Sequence, residues 1–79
     1  MKGFEEDKLK ISKQIIKNNC LNTTQVKAVM KLFGFEESKL DFAKAAYSRT
    51  TDKNNYYTVN DAFGFSQSIE ELDNFINNQ

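Results

Sequence analysis

A short motif around each of three glycines recurs along this chain and constrains its fold more than any other feature. The three copies are Gly3-Phe4-Glu5-Glu6, Gly34-Phe35-Glu36-Glu37 and Gly64-Phe65-Ser66-Gln67. Their glycines lie 31 and then 30 residues apart. A period of this size is typical of helical repeats, in which helical pairs stack to bury their apolar faces. The spacing predicts two hairpin repeats, residues 3–33 and 34–64, and a C-terminal capping helix over residues 65–79.

The residues that follow the motif also repeat. The first helix has apolar or small residues at Leu9, Ile11, Ser12, Ile15 and Ile16. Their counterparts, 31 residues further on, are Leu40, Phe42, Ala43, Ala46 and Tyr47. At about 100° per residue, each set covers one broad face of a helix. We therefore expect both sets to be buried, and the match favours duplication of a helical hairpin of about 31 residues.

Short polar residues mark the predicted helix starts. Asp7, Ser38 and Ser68 are the expected N-caps of the first, third and fifth helices. Before the second helix, Asn22 and Gln25 have the spacing of a capping box, in which each side chain bonds the other residue's backbone N–H. These signals place the starts of four of the five predicted helices.

Composition favours an all-α fold. The 79 residues include no proline and only three glycines, which favours helices over turn-rich β structure. We predict one domain, residues 1–79, of five short helices in two stacked hairpins plus the capping helix. The second helix is expected to end at Gly34 as a C′ residue, and a short fourth helix is expected to begin at Thr58. The phenylalanines of the three motifs are expected to wedge between helices.

The repeated Phe-Gly-Phe signature, the Lys-Leu pair after it and the run Thr-Thr-Gln-Val-Lys are the main patterns of a resemblance that extends over nearly the whole chain. They lie in Phe4–Leu9, Asn19–Phe35, Lys39–Lys44, Asp52–Tyr57 and Asp61–Phe65. These stretches resemble DUF4476, a family of domains of unknown function. The resemblance implies a small all-helical domain and no established activity. Bacterial members often look exported, which makes an extracytoplasmic location one expectation, but no signal peptide pattern follows Met1 and the sequence gives no localisation.

Residues for common catalytic chemistry are missing. Histidine is absent and Cys20 is the single cysteine, so His-based triads, His metal sites and an internal disulfide are excluded. We expect Cys20 to be a small buried hydrophobe. Three pairs of glutamates are expected to lie at helix starts, where negative charge is favourable: Glu5-Glu6, Glu36-Glu37 and Glu70-Glu71. The loop at Asp52 lacks the central Gly and the closing Glu of a calcium loop. We predict no catalytic, metal or cofactor site and no enzyme.

Charge is uneven along the chain. Residues 1–33 carry a net charge of +4, and residues 34–79 carry −4. The predicted partner-docking face consists of lysines on the first two helices: Lys10, Lys13, Lys17, Lys27 and Lys31. This set contains no arginine and no interleaved aromatic residues, so a solvated or protein-docking face is favoured over nucleic-acid binding. No apolar run is long enough to predict a membrane span.

These observations favour a non-enzymatic protein–protein interaction or scaffolding module with an unknown protein partner. The charge asymmetry also leaves self-association open. The alternative is a domain that binds a small apolar ligand or a lipid surface. Its site would be an aromatic groove lined by Phe35, Tyr47, Tyr56 and Tyr57.

Overall fold

The computed structural model describes residues 2–78, which form five helices. The elements are α1 (Lys2–Asn18), α2 (Thr23–Met30), α3 (Glu36–Tyr47), the 3-10 helix η1 (Lys53–Ala62) and α4 (Ser66–Asn77). The described residues contain no β-strand, so the predicted all-α fold with five helices is confirmed. Met1 and Gln79, the ends of the predicted domain, lie outside the described residues.

The helices pack in two layers around α3. In the first layer α1 and α4 each pack against α3, and in the second layer α2 packs against η1. Both α2 and η1 also contact α3, so the core lies between the layers. Its largest fully buried side chains are Phe42, Met30, Leu72, Val26 and Val59.

Two loops are tied together at one end of the molecule. Leu21, in the turn between α1 and α2, donates its backbone N–H to the Arg49 carbonyl at 3.0 Å and accepts the Thr51 N–H at 2.8 Å. The neighbouring Asp52 carboxylate accepts the Thr23 backbone N–H at 2.8 Å and the Thr23 hydroxyl at 2.9 Å. Asp52 therefore holds the start of α2 from a distant loop.

The start of α2 also has the predicted capping box. The Gln25 backbone N–H donates to Asn22 Oδ1 at 2.8 Å, and the Asn22 backbone N–H donates to Gln25 Oε1 at 3.0 Å. A local pattern is sufficient here because both partners lie within one helical turn.

Three predicted N-caps are wrong. α1 begins at Lys2, so Asp7 lies inside the helix. α3 and α4 begin after Phe35 and Phe65, whose side chains make no capping hydrogen bond. Ser38 and Ser68 lie one turn further on and are buried. Instead, Glu5 of α1 and Glu36 of α3 accept the backbone N–H groups of the two residues just before α3 and α4, as described below.

The predicted end of α2 and start of the fourth helix also need correction. α2 ends at Met30, and no residue among those described has a positive φ, so Gly34 is not a left-handed C′ residue. The fourth helix is a 3-10 helix that begins at Lys53, with Thr58 in its interior donating its hydroxyl to the Asn55 carbonyl at 2.8 Å.

Several apolar residues predicted to be buried are exposed. Among them are Cys20 and all three motif phenylalanines, Phe4, Phe35 and Phe65, of which Phe35 is the least exposed. On α1, Ile16 is buried and Leu9 packs against the core, but Ile11 and Ile15 are exposed. No element within residues 2–78 covers that side of α1, which decides where the candidate site lies.

Candidate functional site

Glutamates of the first two motifs make equivalent contacts with the motif that follows. Glu5 on α1 accepts the backbone N–H groups of Gly34 at 3.0 Å and Phe35 at 2.7 Å. Glu36 on α3 accepts the N–H of Gly64 at 2.9 Å and 3.1 Å, one distance to each carboxylate oxygen, and the N–H of Phe65 at 3.1 Å. Each carboxylate thus caps the start of the next first-layer helix.

Hydrogen bonding stabilises the ionised form of both glutamates. The N–H of Gly34 is the main cause that holds the pKa of Glu5 below its ordinary value, with the Ser38 hydroxyl as a further donor. Partial burial acts to raise the pKa of Glu36, but the N–H of Gly64 and the Ser68 hydroxyl lower it further than burial raises it. These carboxylates are engaged in holding helices, which is a structural role.

The predicted lysine face is divided by ion pairs to other helices. Lys13 on α1 lies 2.9 Å from Asp41 on α3, and Lys27 on α2 lies 3.2 Å from Asp61 on η1. The other three lysines are exposed: Lys10, Lys17 and Lys31. Lys10, Lys13 and Lys17 share one side of α1 by their spacing, whereas Lys27 points to η1.

The predicted aromatic groove comes together in part. Tyr47, Tyr56 and Tyr57 line a cleft of about 380 Å³ between η1 and α4, but Phe35 lies elsewhere, at the start of α3. Tyr47 and Tyr56 meet edge to face with ring centroids 5.0 Å apart. The Tyr56 hydroxyl donates to the Ala43 carbonyl, and burial raises the pKa of Tyr56. Charged residues share the cleft lining: Lys53, Glu70 and Asp73.

A second apolar surface was not predicted. Phe4, Ile11 and Ile15 lie on one face of α1 at spacings of seven and four residues, and all three are exposed. Leu32, after α2, is exposed beside them. We call these four residues the open face. Next to it runs a groove of about 200 Å³ between α1 and α2, which we call the α1–α2 groove. Its lining is Lys8, Ile11, Ser12, Val29, Leu32 and Phe33.

Lys8 joins the two parts of this surface. Its Nζ donates to the Leu32 carbonyl at 3.2 Å and lies 5.2 Å from the centroid of the Phe4 ring. The lysine therefore fixes the chain after α2 against α1 and leaves the apolar atoms of Phe4 and Leu32 accessible. The signal in the sequence was the width of the apolar arc on α1, which is broader than α3 alone covers.

Metal-binding clusters and membrane-spanning helices are both absent from residues 2–78. No group of three or more His, Cys, Asp or Glu side chains is placed to hold a metal ion in this range. No helix in the same range is long and apolar enough to cross a membrane.

A protein-family model described as "Domain of unknown function (DUF4476)" matches residues 1–76. The chain belongs to the DUF4476 family. The match includes both glutamate contacts, the open face and the tyrosine cleft, so all of them lie within the DUF4476 domain. No curated protein and no solved structure matches the chain. The function must therefore be inferred from the surfaces of this DUF4476 domain.

Proposed function

We propose that this DUF4476 domain is a non-enzymatic protein–protein interaction module that docks its partner on the open face. The observation that carries the proposal is a difference between equivalent positions. Ile11 and Ile15 are 56% and 53% exposed, whereas their counterparts Phe42 and Ala46 are 1% and 0% exposed. Apolar side chains grouped on one exposed surface of a small domain are typical of an interaction site.

The energetics support this assignment. Complete burial of an isoleucine, leucine or phenylalanine side chain is worth roughly 1.5–3 kcal/mol. Four such residues in one surface can act as the small set of anchors that supplies most of the free energy of an interface. Part of that gain is offset by the lost freedom of the two partners, so a moderate affinity is expected.

The exposed lysines have a supporting role in this proposal. Lys10 and Lys17 are exposed on α1 and do not belong to the open face. Their charge would attract an acidic partner during encounter and would add less to the final contact. Reversing both charges should slow association most strongly at low salt, and it should leave the anchors in place.

The proposal is tested by affinity capture from the native source with two matched variants. Ile15→Glu places a charge in the open face, and Tyr57→Glu places one at an exposed residue of the tyrosine cleft. Both variants should stay folded, because both sites are exposed, and circular dichroism checks this. We expect specific partners to be lost with Ile15→Glu and retained with Tyr57→Glu. Partners that survive Ile15→Glu would contradict the proposal.

The tyrosine cleft favours a second candidate function, the binding of a small ligand. Its volume of about 380 Å³ falls within the range of ligand sites. A fluorescent apolar probe, anilinonaphthalene sulfonate, tests whether the tyrosine cleft binds a small ligand. A ligand-binding domain should bind the probe saturably and lose that binding with Tyr57→Ala, whereas an unchanged signal in this variant would remove the candidate.

A further inference from the structure

We propose that the occupant of the open face is a single amphipathic α-helix of another protein, with acidic residues flanking its apolar stripe. The inference rests on the proposed function and specifies the partner of the same site. It draws on three features of the molecule: the place that α2 occupies in the second layer, the continuity of the α1–α2 groove with the core, and the charge around the groove.

The arrangement of the second layer indicates a helix as the occupant. α2 contacts both α3 and η1. Phe33, after α2, meets Phe42 of α3 with ring centroids 6.1 Å apart. Ile11 is the counterpart of Phe42 one repeat earlier, and the place beside it that corresponds to α2 is open. A helix lying next to α2 and under α1 would cover Ile11 as α2 and the residues after it cover Phe42.

The α1–α2 groove continues an interface that is already formed. Phe33 is buried, and its side chain both contacts Phe42 and lines the groove beside Ile11. Val29 on α2 is half-buried and lines the same groove. A helix seated there would extend the core by one row. Its anchors would stand three or four positions apart, the spacing at which helix side chains reach a groove.

The charge of this end of the molecule favours acidic flanks on the docked helix. Residues 1–33 carry a net charge of +4. The Glu5 carboxylate is buried and used by backbone N–H groups, which leaves Glu6 and Asp7 as the exposed acids of α1. Lys8 lies within the groove and Lys31 precedes Leu32. Lys8 and Lys31 therefore supply positive charge at the groove itself, where acidic residues flanking a docked helix would lie.

Two synthetic helical peptides test the inference by NMR titration of the isotope-labelled chain. Both carry leucines at positions 1, 4, 8 and 11, which is the spacing at which one face of a helix reaches a groove. One peptide has glutamates at the flanking positions and the other has lysines. We expect the glutamate peptide to shift the amide signals of Ile11, Ile15 and Leu32 and to bind at least about tenfold more tightly than the lysine peptide, since a tenfold ratio corresponds to about 1.4 kcal/mol. Added salt should reduce that ratio.

Variants locate the contact. Ile11→Glu should weaken binding of the glutamate peptide at least about tenfold, and Tyr57→Glu should leave it unchanged. Equal affinity for both peptides would overturn the inference that acidic residues flank the apolar stripe of the partner helix. Absence of shifts with either peptide, shifts confined to the tyrosine cleft, or self-association of the chain lost in Ile11→Glu would overturn the helix as occupant. If captured partners still depend on Ile15 in any of these cases, the interaction function stands and only the nature of the occupant is wrong.

Discussion

α1 and α3 carry matching residue classes at matching positions, but they differ in what surrounds them. α3 is packed by α1, by α4 and by both helices of the second layer. Within residues 2–78, the main packing partner of α1 is α3. As a result Phe42 and Ala46 are buried on α3, and the equivalent Ile11 and Ile15 on α1 are exposed.

The difference shows that a repeated pattern determines which residues can be buried, whereas neighbours determine which ones are. A helix with fewer neighbours leaves more of its apolar stripe uncovered. α4, which also packs against α3, differs from α1 in this respect. It buries Leu72 and exposes acidic residues, Glu70, Glu71 and Asp73. Of these two helices, α1 is the one that exposes large apolar side chains.

The largest expected effect separates the two helices directly. Phe42→Ala removes a ring that is almost fully buried and should reduce the free energy of unfolding by about 3–5 kcal/mol. Ile11→Ala changes an exposed residue at the equivalent position and should alter it by no more than about 0.5 kcal/mol. Urea denaturation followed by circular dichroism measures both. Similar losses in the two variants would mean that α1 is covered in solution.

A smaller effect is expected from Glu5 and Glu36, which link α1 and α3 to the glycine motifs that follow them. Glu5→Gln and Glu36→Gln each replace one accepting oxygen with an amide NH₂, which cannot accept a backbone N–H. The melting temperature should fall in both variants and fall further with Glu5→Gln, because Glu5 is buried and Glu36 is half-exposed. Glu6→Gln, at an exposed neighbour on α1, is the matched control and should leave the melting temperature unchanged. An equal fall in Glu6→Gln would show that net charge, not capping, is responsible.

The lowered pKa values of the same carboxylates lead us to expect that the fold loses stability in acid. The pKa values of Glu5 and Glu36 are lowered by backbone N–H donors from an ordinary value of 4.5. Burial acts to raise the pKa of Asp52, but the hydrogen bonds from Thr23 hold it below 3.8. A lowered pKa in the folded state stabilises the fold above the unfolded pKa, and this contribution disappears as pH falls through the folded pKa.

Stability should therefore be level above about pH 5 and decline steadily below it. Urea denaturation at a series of pH values from neutral to strongly acidic measures the slope. In the double variant Glu5→Gln/Glu36→Gln, the free energy of unfolding should fall less steeply with decreasing pH. Part of the fall that remains should be due to Asp52. A slope unchanged in the double variant would contradict the role given to the two glutamates.

The sequence predicted the features that depend on local spacing. The number of helices and the capping box at Asn22 and Gln25 could both be predicted, because each depends on residues within a few turns or on a simple count. The starts of α3 and α4 could not be predicted, because the carboxylates that bind the residues before them lie about 30 positions away in sequence. The open face was also missed, since exposure of Ile11 depends on which neighbours the fold supplies. The repeat boundaries themselves stay a prediction.

The smallest expected effect concerns the motif glycines. Where a glycine with positive φ ends a helix, its replacement by alanine lowers the stability of the protein. Neither Gly34 nor Gly64 has positive φ, and an added Cβ would meet Glu5 Oε1 at 3.9 Å or Glu36 Oε2 at 3.6 Å, both ordinary contacts. Gly34→Ala and Gly64→Ala should therefore change the free energy of unfolding by no more than about 1 kcal/mol, with stabilisation expected because alanine restricts the unfolded chain. Urea denaturation of the two variants checks this. A large loss at one glycine alone would show that the two junctions, despite matching hydrogen bonds, are not equivalent.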